Sequence, residues 1–256
     1  MKSFLFILSV LGILGLTRGE NNVESGVYSF SKAKVEKTKT GEERLLINGP
    51  TTHLKDMEIS AITLNPGKTI LESNKRSNYE ELIIVKDGEL KITLNNESKN
   101  VGPGSVALIL PENKCDLENG SSSQATYYII KYISKLPVNM ARGKTAGGSV
   151  LYDWDEIQFS PHDKGGIRNY FDRKSSMSDR IEMHVTTLFP QIKSHDPHTH
   201  EPAEIVIMME GNTEMEIDNK LYQGSLGDIY FLGSNILHGI RNTGDKACMY
   251  MAFQWQ

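Results

Sequence analysis

Two stretches of the chain repeat one pattern of apolar and polar positions. "EELIIVKDGELKITL" (80–94) and "AEIVIMMEGNTEMEI" (203–217) each run apolar, break at a glycine and then alternate. A short apolar run bounded by a turn residue, followed by period-2 alternation, predicts a strand, a tight turn and a second, half-buried strand. "GSVALIL" (104–110) and "GDIYFLG" (227–233) predict further short strands opened by glycine. "ATYYIIKYI" (125–133) and "ACMYMAFQW" (247–255) predict aromatic-rich final strands. No helical period persists beyond about two turns. Many short antiparallel strands at even turn spacing predict an all-β chain of jelly-roll type.

The matches fall at a fixed offset. Glu81, Gly88, Gly104 and Asn119 meet Glu204, Gly211, Gly227 and Asn242, each 123 positions on. Upstream, "MEISAITLNPG" (57–67) meets "IEMHVTTLFPQ" (181–191) at 124. One inserted or deleted residue explains the step, and the chain reads as two copies of a unit of about 80–90 residues. The predicted organisation is an N-terminal unit over 20–133, a linker over 134–180 and a C-terminal unit over 181–256. The linker's "VLYDWDEIQF" (150–159) and "IRNYFD" (167–172) predict accessory strands on the second unit, and residues 27–55 predict the same for the first.

Composition narrows the function. With 256 residues, 38% hydrophobic and 23% charged, the chain can bury one or two cores. A net charge of −4 and no basic stripe exclude nucleic acid as the expected partner. Residues 1–19 read as a secretory signal peptide: Lys2 precedes the apolar run Phe4 to Leu16, and Thr17 and Gly19 are small residues before a cleavage point. That run is too short to span a bilayer. The mature protein is therefore expected to be secreted or periplasmic, with no membrane span. The only cysteines, Cys115 and Cys248, lie far apart and are expected as buried thiols rather than a disulfide.

The chemistry concentrates in "HDPHTHEPAE" (195–204), which holds three of the seven histidines and two glutamates. His198, His200 and Glu204 share one parity, so on extended chain their side chains face one way. His238, eleven residues after Gly227, can close the set from a neighbouring strand. Imidazoles with one carboxylate suit a single divalent Fe, Mn, Ni, Co or Zn ion, with positions left for water or substrate.

The pattern His198-x-His200-x3-Glu204-x6-Gly211, followed by Gly227-x10-His238-x3-Asn242, resembles the two-part cupin signature. Because both repeats are covered, the chain resembles a bicupin, which implies two tandem jelly-roll β-barrels and one mononuclear metal inside. Gly233 stands where many cupins carry proline. In the first repeat the ligand positions read Lys75, Ser77, Glu81 and Cys115. A lysine repels a cation and serine is a poor divalent ligand, so the N-terminal barrel is expected to be metal-free and structural.

Other residues are weaker candidates. His184 points either into the second barrel as a substrate contact or out to solvent. Asp196 is a candidate for orienting a ligand histidine, and His195 reads as an exposed loop residue. Tyr230, Arg241, Gln254 and Trp255 lie near the motif, where packing or surface roles compete with substrate contact. Met208, Met209, Met215, Met249 and Met251 read as core, and His53 and His162 have no partner pattern.

Three function classes follow. The first is non-oxidative metal catalysis (hydrolysis, isomerisation or lyase-type) on a small polar metabolite, the ion polarising a carbonyl or lowering the pKa of bound water. The resemblance implies sugar acids, since cupins include enzymes acting on unsaturated uronates from polysaccharide breakdown. The layout is also similar to ureidoglycine aminohydrolases, but their ligand pattern of glutamate, two histidines and glutamine differs from His198, His200, Glu204 and His238. The second class is Fe(II) dioxygenase chemistry, and the third a non-catalytic small-ligand binding protein. The resemblance is compatible with a homodimer.

Overall fold

A computed structural model of the chain describes residues 21–71 and 78–256. The expected signal peptide and the first-repeat positions Lys75 and Ser77 lie outside the described residues. Among the described residues no helix is long and apolar enough to cross a membrane.

The chain forms two jelly rolls. Each is a large sheet of seven strands facing a smaller sheet, of four strands in the first half and three in the second. All pairings are antiparallel, and the two sheets of each half face one another without closing into one hydrogen-bonded cylinder. Among the described residues helix is limited to Met140–Thr145 and a single 3-10 turn at Trp154–Glu156.

Pleating sorts the side chains into three cores. On strand Ala203–Glu210, Ala203, Ile205 and Ile207 pack into a core between the two large sheets, while Val206 and Met208 pack inside the second jelly roll. On strand Glu80–Asp87, Leu82 and Ile84 enter the shared core, and Ile83 and Val85 fill the first jelly roll. Both faces are buried, which is why these strands read as unbroken apolar runs. The shared core holds the bulkiest side chains, including Tyr132, Phe253 and Trp255. Cys115 and Cys248 are buried in separate jelly-roll cores, with no disulfide between them.

The stretch expected as a linker is mostly the beginning of the second repeat. Phe159–His162 and Gly165–Arg173 are the outer strands of the second large sheet. They answer to Glu36–Lys37 and Gly41–Gly49 in the first. The 124-residue offset thus extends upstream to Tyr28 and Tyr152, and the repeating unit is longer than the pattern of identities suggested. The remainder is held by a buried carboxylate, Glu80, which accepts hydrogen bonds from Tyr132 Oη at 2.5 Å and from the Ser176 backbone N–H at 2.9 Å.

One expectation is overturned in an informative way. Val150–Tyr152 does not join the second sheet. It pairs with Val106–Ile109 at the edge of the first. Its counterpart, Gly26–Tyr28, pairs with Ile229–Leu232 at the edge of the second. Each repeat lends its first strand to the other. An aromatic residue two positions on seats each arm. The Phe30 backbone N–H donates to Asp228 Oδ1 at 2.9 Å, and the Trp154 backbone N–H donates to Ser105 Oγ at 3.0 Å. Each ring lies over the preceding glycine, Gly227 (φ +89°) and Gly104 (φ +88°). At these φ values a side chain would be strained; a Cβ on Gly104 would strike the Trp154 ring, and one on Gly227 would crowd Lys86 and the Phe30 ring.

Candidate metal centre

His198, His200 and His238 come together at one end of the second jelly roll, their candidate ligand atoms all within 4.8 Å of one another. His238 opens strand His238–Asn242 and His198 bridges to it, the two exchanging backbone N–H to carbonyl bonds at 3.0 Å. His200 and Glu204 flank the turn that leads into strand Ala203–Glu210. Glu204 shares parity with Val206 and Met208, so it faces the interior.

Two of the imidazoles are locked in a ligand-ready tautomer. His200 Nδ1 lies 2.8 Å from the Pro202 carbonyl, and His238 Nδ1 lies 2.8 Å from the Ile236 carbonyl. A carbonyl can only accept, so Nδ1 carries the proton and Nε2 presents a lone pair. Both Nε2 atoms point at one oxygen, Glu204 Oε2, at 3.3 and 3.5 Å. The contact at His200 is not a formed hydrogen bond, and its Nε2 is buried without a hydrogen-bond partner. An orphaned buried nitrogen, two further imidazoles and a carboxylate are the donor set a divalent transition metal requires.

Electrostatics agree. Burial of Glu204 alone would raise its pKa, but the close approach and charge of His200 and His238 outweigh it and bring the carboxyl down to about 2. Contact with Glu204 raises His200 above the ordinary histidine value, against the effect of partial burial. Burial lowers His198, reinforced by the charges of His195, His238 and His200. The carboxylate is thus ionised throughout the neutral range.

The group opens into a cavity of about 170 Å³. His184 and Gln254 line it from neighbouring strands, with Thr186 and Tyr250 beside them. His184 faces inward and its Nδ1 lies 2.7 Å from Glu182 Oε1. Burial depresses the His184 pKa, but the hydrogen bond and charge of Glu182, with Glu204 adding, raise it overall. The buried Tyr250 hydroxyl is pushed up to about 12 by desolvation and stays neutral.

His195 is the exposed loop residue expected, and it also lines the cavity edge-on to His198, the ring centroids 4.3 Å apart. Several candidates sit elsewhere than expected. Asp196 points to solvent and pairs with Lys193 at 2.9 Å, touching no ligand histidine. Arg241 lies outside the cavity, on Glu214 at 2.6 Å. Tyr230 is wholly buried in the second core, its hydroxyl on Thr213 and Tyr222. Trp255 belongs to the core between the halves. The signature asparagine Asn242 is structural: its Nδ2 donates to the carbonyls of Leu188, Phe189 and Lys246, and Asn119 plays the same part in the first half. In that half Glu81 and Cys115 line a cavity of only about 40 Å³.

No curated protein sequence matches the chain. Solved structures share its fold over nearly the whole length. Protein Ylba from E. coli superposes with TM-score 0.72 at 14% identity, over 94% of this chain and 95% of that one. AerE from Microcystis aeruginosa gives 0.65 at 15%, over 88% and 97%. Bacillus subtilis oxalate decarboxylase, which has Mn(II) centres, gives 0.68 at 14%, over 92% and 78%. Residues 184–253, which carry the site from His184 to Tyr250, match the family model for the cupin domain.

Proposed function

We propose that this chain is an exported bicupin enzyme that uses one divalent metal ion in its C-terminal jelly roll for a non-oxidative reaction. Hydrolysis, isomerisation and lyase-type chemistry on a small sugar acid fit the site best. The observation that carries the reading is the convergence of His200 and His238 Nε2 on Glu204 Oε2 at the wall of a cavity also lined by His184, whose Nδ1 Glu182 engages.

His198, His200, His238 and Glu204 would hold the ion, which when bound polarises a carbonyl or hydroxyl oxygen and acidifies water. Neutral imidazoles and a single carboxylate leave a divalent charge only half compensated, which favours an anionic substrate. His184, with Nδ1 engaged by Glu182, offers its other ring nitrogen for proton transfer at the substrate. Gln254 and Thr186 supply neutral hydrogen-bonding groups to the substrate's hydroxyls. The apolar wall of Val206, Leu232 and Ile240 limits water. The N-terminal jelly roll acts as the structural partner, and Mn(II) is the first ion to try.

Turnover of unsaturated uronates by the metal-loaded protein, followed with and without oxygen, tests the reading. Equal rates in both atmospheres are expected. A strict oxygen requirement would replace it with dioxygenase chemistry.

A further inference from the structure

A second cavity, which shares no lining residue with the histidine cavity, lies in the seam between the two jelly rolls, and nothing in the metal chemistry uses it. We propose that this seam binds a small aromatic monocarboxylate of about the size of phenylacetate, with its carboxylate on Lys86 and its ring among methionine thioethers. The proposal does not rest on the metal site.

The cavity measures about 190 Å³, and an apolar cavity of about 150 Å³ is known to take up benzene. Equivalent positions of both repeats line it. The 123-residue offset pairs Ile84 with Ile207, Val85 with Met208 and Lys86 with Met209, and all six line it. Symmetric positions thus carry asymmetric chemistry: a cation on one wall, thioethers on the other. A ligand with one charged end and one apolar end matches that difference, and a symmetric one does not.

Lys86 is the only charged residue on the lining. Its stem lies along Gly227 of the opposite half, and its ammonium sits 4.7 Å from the Phe30 ring centroid. Among the described residues it forms neither a hydrogen bond nor an ion pair. The nearby carboxylates are engaged or turned away: Asp228 accepts from Phe30 and Ser225, and Asp87 is exposed. A half-buried ammonium held on an aromatic face lacks the carboxylate that would best satisfy it. Desolvation lowers its pKa, with the Arg44 charge adding and the Asp87 charge opposing. Met249 and Met251 extend the thioether wall, and the Trp154 ring forms part of the lining. Sulfur and indole both favour an aromatic guest over an aliphatic one.

Calorimetric titration with phenylacetate, and with neutral phenylacetamide, tests this in wild type and in His200→Ala. Saturable binding at one site per chain is expected in both proteins, with the amide at least about tenfold weaker. Lys86→Met is expected to weaken phenylacetate by a similar factor and leave the amide unchanged. Lys86→Arg should retain binding, which separates lost charge from lost fold. Met209→Trp, which fills the opposite wall, should abolish binding. Equal affinity for acid and amide would overturn the proposal, as would indifference to Lys86→Met or no saturation at all. Binding that disappears with His200→Ala would move the ligand to the metal cavity and leave the metal reading standing.

Discussion

Glu182 Oε1 lies 2.7 Å from His184 Nδ1; the two residues are two apart on one strand and share a face, and His184 lines the metal cavity. The carboxylate fixes the tautomer and raises the imidazole pKa against the effect of its burial. Glu182→Gln keeps the shape and removes the charge. The expected outcome is a downward shift of the His184 midpoint in an NMR titration, a matching shift of the acid limb of activity, and unchanged metal content. An unmoved midpoint would show that the pair does not tune the histidine.

The ligand assignment predicts one ion per chain. Outer partners of metal ligands are worth about 10–100-fold in affinity, so His200→Ala and His238→Ala are each expected to lose more than about 100-fold. Elemental analysis and competition with a chelator measure this, with circular dichroism confirming an unchanged β-sheet signal. Two ions per wild-type chain would mean that the first half binds metal despite its small cavity.

Stability of the metal-free protein has a predicted pH window. The folded-state pKa of Glu204 falls from 4.5 to about 2, so its contribution is present above 4.5 and is lost as pH falls towards 2. His200 is raised above 6.5, so its contribution is present below 6.5 and is lost as pH rises through the folded value. The pair is therefore fully effective between 4.5 and 6.5. In excess chelator, the Tm difference between wild type and Glu204→Gln should peak in that interval and change on both sides of it. A flat difference would show that the two groups are not coupled.

The exchanged arms make a mechanical prediction. Asp228 is buried and accepts from the Phe30 and Ser225 backbone N–H groups and from Ser225 Oγ. Bonds to a charged acceptor are the stronger kind, so Asp228→Ala is expected to cost about 2 kcal/mol in urea unfolding. Phe30→Ala should release the arm locally, seen as faster proteolysis between residues 23 and 40 in an otherwise folded protein. Unchanged cleavage would mean that strand pairing alone holds the arm.

Much of this was legible in the sequence. Glycine, glutamate and asparagine recur at 123 because turns and the Asn119 and Asn242 bonding patterns tolerate few substitutes. The outer strands were legible as accessory strands in 167–172 and 27–55 but not as parts of the repeat, since Leu46 and Tyr170 fill equivalent core positions with unrelated side chains. Strand exchange left no trace either: an arm pairing with the other repeat's edge needs the same residues as one pairing with its own. Among the site candidates, parity already separates Arg241 from His238, three positions apart on one strand and facing opposite ways. Tyr230 has the right parity, but its hydroxyl turns to Thr213. The contact of His195 with His198 depends on how the loop before His198 folds back, and no local pattern encodes it.

The crossed arms bear on how the chain is made. Gly26 pairs with Phe231, so almost the whole polypeptide must leave the ribosome before the first strand finds its place. At about 5–20 residues per second, that strand waits roughly 10–40 s with its edge uncovered. The nascent first half is held open at the seam for that interval, and the second half closes the molecule by accepting one strand while returning another.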